Sequence, residues 1–132
     1  MTLREVLHAH IPTLTRLSTI ADAIDKMDIY QFPALVIVDE DIAPIAVVTE
    51  GDICRAVTQQ DSLSRLRDEP ALQVATMDPT VMSADTEVSE ALHQMLSQGI
   101  TILPIVESGV LSGIVLRVDL MQAMLIDSQP GP

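Results

Sequence analysis

The chain reads as an α/β (α+β) protein built from two copies of one small unit, each a sheet with flanking helices. Three observations predict this. An amphipathic helix, an apolar strand, a second strand and a closing helix occur in that order twice. Equivalent positions recur at one spacing: Ile20 with Val88, Ala23 with Ala91, Met27 with Met95 and Val38 with Val106 are each offset by 68. The stretch Ala46-Val47-Val48-Thr49-Glu50-Gly51-Asp52-Ile53 returns as Gly113-Ile114-Val115-Leu116-Arg117-Val118-Asp119-Leu120, offset by 67. A fixed period of this kind marks a repeat architecture, in which a unit unable to bury its sheet alone does so beside its copy. The expected result is two half-domains packed about a pseudo-twofold axis.

The elements follow in order. Thr2 with Glu5 has capping-box spacing, which predicts a short helix over 2–9 with Leu3, Val6 and Leu7 on one face, ended by Pro12. Thr13 to Leu17 alternates and reads as extended. Ser18 or Thr19 caps a helix whose stripe is Ile20, Ala23, Ile24 and Met27, with Asp22, Asp25, Lys26 and Asp28 opposite. Ala34 to Val38 is a continuous apolar run, as in a strand buried on both faces. Asp39-Glu40-Asp41 is a solvated turn rather than a metal site, and Ile42 to Val48 returns as the second strand. A helix runs from Asp52 to about Gln59. The polar stretch 60–70 is read as a linker, with a helical turn near Ser62 and Ser64, and Ala71 to Thr76 as a short helix.

The second unit restarts with an extended Thr80-Val81-Met82. Asp85 or Thr86 caps a helix with the stripe Val88, Ala91, Leu92 and Met95, and Gly99 ends it in a left-handed turn. Ile100 to Val106 and Val110 to Leu116 form a hairpin, a helix covers Asp119 to about Ile126, and 128–132 is a tail. The domain division is therefore 1–59, a linker at 60–70, 71–127 and the tail.

Composition bounds the function. In 132 residues the chain carries 48% hydrophobic but only 2% aromatic residues, so its core is Ile, Val, Leu, Ala and Met. A chain of this size buries roughly two thirds of its unfolded surface, enough for a true core. The formal net charge is -12, with 7 bases against 19 acids. Nucleic-acid binding and attachment to anionic membranes both lean on clustered Lys and Arg, and neither is expected. The single cysteine, Cys54, excludes an internal disulfide and fits a reducing, cytoplasmic setting. The acid at Glu5 interrupts any signal-peptide pattern, and no apolar run reaches the ~18 residues of a membrane span.

The repeated strand-loop-helix stretch carries the candidate chemistry. A helix N-terminus offers unpaired N–H groups and a partial positive charge to a phosphate. The Thr49 hydroxyl can donate to a phosphate oxygen, the Asp52 carboxylate can accept from both hydroxyls of a ribose diol, and Gly51 keeps the approach open. The second copy has Asp119 but Leu116 in place of the hydroxyl. A lost bond to a charged group is worth about 1.5–3 kcal/mol; Arg117 is the residue that could restore it through a bidentate grip. Asp52 and Asp119 read equally well as N-caps, and Thr49 as an ordinary β-branched strand residue. Cys54 reads as a buried small hydrophobe, Arg55 as a surface residue, and Met77, Met82 and Met95 as core filler. His8, His10 and His93 show no metal spacing.

Val-Val-Thr-Glu-Gly-Asp-Ile in the first half, with Leu-Pro-Ile-Val and Gly-Ile-Val in the second, resembles tandem CBS domains, the pair called a Bateman module, over about residues 3–126. The resemblance implies two symmetry-related clefts between the repeats that take adenosine-containing ligands: AMP, ADP, ATP or S-adenosylmethionine. It implies one site of Thr49 and Asp52 with Thr80, Ile100, Thr101 and Ile102, and a mirror site of Asp119 and Arg117 with Phe32, Pro33 and Ala34. It further implies a non-enzymatic sensor, dimerising through its helical faces with help from Ala123, Met124 and Leu125, and acting on a regulated protein in trans. The alternatives are a structural or dimerisation module with empty clefts, and an enzyme. Against the enzyme stands the lack of a nucleophile–base pair, a metal-ligand cluster or a Gly-rich phosphate loop.

Overall fold

Ile20, Ala23 and Met27 are buried on α1 (Ile20–Tyr30), as their spacing requires, and the computed structural model describes the chain over residues 1–60 and 62–128. Thr19 caps α1 through a capping box. Its Oγ1 accepts the Asp22 N–H at 3.1 Å, and its own N–H donates to Asp22 Oδ2 at 2.9 Å. The helix ends at Gln31, which is left-handed.

The strands that follow are β2 (Ala34–Val38), every residue of which is buried, and β3 (Pro44–Thr49). With β1 (Thr13–Leu14) and β4 (Thr76–Met77) they make a four-stranded sheet in the order β1-β2-β3-β4. Only the β1–β2 pair is parallel. The acidic turn between β2 and β3 is an Asx turn, as its composition suggests: Asp39 Oδ1 accepts the N–H groups of Asp41 and Ala43 at 2.9 and 3.0 Å. Helix α2 (Glu50–Gln60) leaves β3 directly, and α3 (Leu63–Leu66) puts Leu66 in the same core.

The second copy contains α4 (Val88–Gln98), β5 (Ile102–Glu107), β6 (Val110–Leu116) and α5 (Arg117–Asp127). β5 and β6 pair antiparallel, with a register shift at Ile105/Val106 that repeats the one at Ile37/Val38. Single bridges flank this hairpin: Met82 lies parallel to Ile105 and His8 antiparallel to Ile114. They stand where β1 and β4 stand in the first copy. Ser108 and Gly109, with φ of 53° and 79°, turn the second hairpin in two residues where the first uses a longer loop. The residue by which the two offsets differ falls here, where length changes cost least.

The chain divides into two compact units, and each contains the leading segment of the other repeat. Pro12–Pro79 forms one; Met1–Ile11 joins the chain from Thr80 onward to form the other. The hydrogen bonds that anchor the leading segments repeat with the sequence. The Leu3 N–H donates to the Thr86 carbonyl at 3.0 Å, as that of Ala71 does to Ser18 at 2.9 Å. The Val88 N–H reaches Met1 at 3.0 Å, as that of Ile20 reaches Glu69 at 2.9 Å. Leu3 is fully buried in the core with Met95, Leu103 and Leu120, and Ala71 in the core with Leu14, Ile37 and Val48. The stretch 60–70, read as a linker, thus holds α3 and one of these anchoring carbonyls, that of Glu69; Asp61 lies outside the described residues.

Several local expectations are corrected. The helix expected over 2–9 is a 3₁₀ turn, Leu3–Glu5, because the chain then leaves to pair with β6. Ala71 to Thr76 is a 3₁₀ turn (Ala71–Gln73) leading into β4. Thr80 to Met82, expected to be extended, pairs with β5 through the single bridge at Met82. Glu87, without a side-chain capping bond, occupies the N-cap of α4 in place of Asp85 or Thr86. Asp85 instead pairs with Arg4 at 3.1 Å. Gly99, with φ 65°, does end α4 as expected. Cys54 is exposed, one position past buried Ile53, and Met77 is exposed on the edge strand β4. Ala123 is buried, whereas Met124 and Leu125 are exposed. Of the tail, Ser128 closes α5 with its N–H on the Met124 carbonyl, and 129–132 lie outside the described residues.

Candidate functional site

Thr49 is the last residue of β3, and α2 begins at the next residue. The turn into the helix is closed by two reciprocal bonds. Asp52 Oδ2 accepts the Thr49 N–H at 2.9 Å, and Thr49 Oγ1 accepts the Asp52 N–H at 3.1 Å. Thr49 is therefore the cap and Asp52 its partner three residues on, which corrects the reading of Asp52 as the cap itself and starts α2 at Glu50. The Thr49 hydroxyl proton remains available to a ligand, because Oγ1 serves here as an acceptor.

The other carboxylate oxygen, Asp52 Oδ1, accepts from Arg55 Nη2 at 2.6 Å. Arg55 stands one turn along α2; its side chain is 68% exposed, against 11% for Asp52. The guanidinium also covers Gly51, where an added Cβ would lie 3.2 Å from Arg55 Nη1. Arg55 thus belongs to the site, although sequence reasoning left it on the surface. The signal was its i,i+3 spacing from Asp52.

Three further candidates stand beside Thr49. Ala34 is its register partner across β2 and β3, and the Glu50 N–H donates to the Pro33 carbonyl at 2.9 Å. Phe32 precedes them, half-buried, and packs against the core of the same unit. With Pro33, Glu50, Ile53 and Cys54 it lines an apolar groove of ≈ 820 Å³ beside α1 and α2.

The second copy has the same plan with different partners. Asp119 Oδ2 accepts the Leu116 N–H at 2.8 Å, so one half of the capping box survives. The reciprocal bond is lost because Leu116 has no side-chain oxygen. The same Oδ2 takes a second bond, to His8 Nε2 at 2.9 Å. Arg117, the first residue of α5, is exposed. Ile102, register partner of Leu116, is buried. Ile100 and Thr101 precede it half-buried, and Thr80 Oγ1 donates to Gln98 Oε1 at 2.6 Å. The structure therefore groups Thr49, Asp52, Phe32, Pro33 and Ala34 in one unit, and Asp119, Arg117, Thr80, Ile100, Thr101 and Ile102 in the other. The pairings implied by the resemblance draw on both. No group of three His, Cys, Asp or Glu residues among those described could hold a metal ion, and no described helix is long and apolar enough to cross a membrane.

The CBS-domain family matches the chain over residues 3–59 and 71–126. The protein belongs to that family. It is a tandem CBS pair, the kind of unit that serves as a regulatory module. A 17.7 kDa protein of uncharacterised function from Acidianus ambivalens is 37% identical over 108 residues, covering 81% of this chain and 63% of the relative. The chain spans 60–63% of the length of two curated relatives that it matches. Among solved structures, the CBS-pair protein CBSX2 from Arabidopsis thaliana superposes with a TM-score of 0.87 at 20% identity, covering 98% of each chain. CBSX2 in complex with AMP gives a TM-score of 0.83 at 20% identity, covering 97% of this chain and 98% of that one. At this identity the likeness establishes the CBS-pair fold.

Proposed function

We propose that this CBS pair is a non-enzymatic sensor of an adenosine-containing ligand of the AMP, ADP or ATP class, with S-adenosylmethionine as a further candidate. Its principal site is Thr49 and Asp52. One observation carries the reading: among the described residues each oxygen of Asp52 has a single donor, so each keeps a lone pair, and a vicinal diol needs one acceptor on each. The free hydroxyl proton of Thr49 and the N-terminus of α2 then suit the phosphate. The AMP complex of CBSX2 supports the ligand class. Thr80, Ile100, Thr101 and Ile102 are proposed as the wall for the base. Phe32, Pro33 and Ala34 are proposed as the wall of the mirror cleft at Asp119 and Arg117.

Binding would favour one arrangement of the repeats, or of two protomers in a homodimer, and a regulated protein in the cytoplasm would read that choice in trans. A ligand shifts such an equilibrium only by its differential affinity for the two states. Calorimetric titration with AMP, ADP, ATP and S-adenosylmethionine tests the proposal. Saturable binding that is lost in Asp52→Ala supports it; no binding by any of the four at millimolar concentration overturns it.

A second reading, a dimerisation module with unoccupied clefts, is favoured by apolar side chains left open on the helices. Ile29 of α1 is 71% exposed, Leu96 of α4 60% and Leu125 of α5 61%. Sedimentation with and without AMP separates the two: a dimer indifferent to nucleotide favours the module.

A further inference from the structure

The two copies hold their carboxylates differently, and the difference lies on single oxygen atoms. Each oxygen of a carboxylate has two acceptor positions. Asp52 spends one on each oxygen, on the Thr49 N–H and on Arg55. Asp119 spends two on Oδ2, on the Leu116 N–H and on His8, and none on Oδ1 among the described residues. A vicinal diol that straddles a carboxylate meets one open oxygen at Asp119 and two at Asp52.

Resting on the ligand reading above, we propose that His8 determines ligand number: by saturating Asp119 Oδ2, it makes the second copy refuse a ribose diol, so the chain takes one nucleotide rather than two. The Leu116 N–H cannot yield its place, because it caps α5. His8 is the donor that decides.

Its placement is built rather than incidental. The His8 main chain exchanges two bonds with Ile114, N–H to carbonyl at 2.9 Å and carbonyl to N–H at 3.1 Å. Gly113 makes room for that approach, since a Cβ there would sit 2.5 Å from the His8 carbonyl oxygen. The imidazole therefore springs from a fixed point on the edge of β6. It need not be charged, because a neutral ring protonated at Nε2 donates the same bond. By contrast, Arg55 hangs from an exposed stem and can swing aside without disturbing a strand. The position 68 residues after His8 is Thr76, from which Asp52 takes no bond.

The test is the stoichiometry of AMP binding by calorimetry on the full chain, with 2′-deoxy-AMP as the probe lacking the diol. Wild type should bind one AMP per chain and His8→Ala two. His8→Ala/Asp119→Ala should return to one. The site gained should prefer AMP over 2′-deoxy-AMP by about tenfold or more, the worth of one hydrogen bond to a charged group. His8→Ala keeps the main-chain pairing with Ile114, and an unchanged circular dichroism spectrum verifies the fold. Two AMP per wild-type chain, or no gain in His8→Ala, overturns the inference. The double variant His8→Ala/Asp52→Ala separates it from the sensor reading: one AMP bound there, with none bound by wild type, rejects the Asp52 site and upholds the role of His8. Binding by wild type with none in that double variant does the reverse.

Discussion

A Cβ on Gly113 would lie 2.5 Å from the carbonyl oxygen of His8 and 2.7 Å from Leu7 Cδ1. The first neighbour is backbone, which cannot turn away, and it belongs to the bridge that holds the leading segment on β6. Gly113→Ala should therefore destabilise the protein by about 1–3 kcal/mol, the usual cost of overpacking. Chemical denaturation measures this. Amide exchange at His8 and Ile114 should speed up ahead of exchange at Val36 and Val47, which lie in the other unit. Equal stability of Gly113→Ala and wild type would contradict the close approach.

Gly51 presents the opposite case. Its nearest neighbour for an added Cβ is the free end of Arg55, at 3.2 Å, and a long flexible side chain yields cheaply. Glycine within a helix costs about 0.5–1 kcal/mol relative to alanine. Gly51→Ala should raise stability by up to about 1 kcal/mol in thermal denaturation and weaken AMP binding, because the added methyl crowds the approach to Thr49 and Asp52. A variant both more stable and tighter in binding would remove Gly51 from the site.

Thr49 serves the cap and, on our proposal, the phosphate. Thr49→Val keeps the shape but loses the acceptor for the Asp52 N–H, which should cost about 1 kcal/mol in denaturant unfolding. The same change should lower AMP affinity at least several-fold, whereas Thr49→Ser should restore both quantities. If Thr49→Val loses stability yet binds as wild type does, the hydroxyl is a cap and nothing more.

The Asp22 carboxyl is held below the usual carboxylate range by the Thr19 main-chain N–H and then by the Thr19 hydroxyl. A depressed folded-state value means that the charged form is favoured by folding. This contribution is complete above the ordinary carboxylate value and disappears as the pH falls through the folded value. Melting curves of wild type and Asp22→Asn should accordingly converge as acid is added below the ordinary carboxylate range, and stand apart near neutrality. A gap that widens in acid would reverse the sign.

Much of the fold was legible because the repeat supplied two readings of each element. Ile20, Ala23 and Met27 agreed with Val88, Ala91 and Met95, and all six are buried. What escaped was non-local. The periodicity of Leu3, Val6 and Leu7 announces an apolar face but does not say which sheet it will edge, so the partnership of His8 with Ile114 and Asp119 had no sequence signal. The helix starts were missed by two residues for a different reason. Thr49 and Asp52 form a reciprocal pair, and an aspartate three residues inside a helix looks, in sequence, like one at its cap. Arg55 was legible through its spacing from Asp52 but was set aside as a surface charge.

The division of the chain also dictates an order of events. Pro12–Pro79 is continuous, so its whole sheet and core exist once Pro79 has left the ribosome. The other unit is assembled from both sides of it: Leu3 is made early, but Val115 and Leu120, which share its core, come more than a hundred residues later. Domains fold as units as they are synthesised. Until β6 and α5 are made, residues 1–11 therefore lack the partners that bury Leu3 and pair His8.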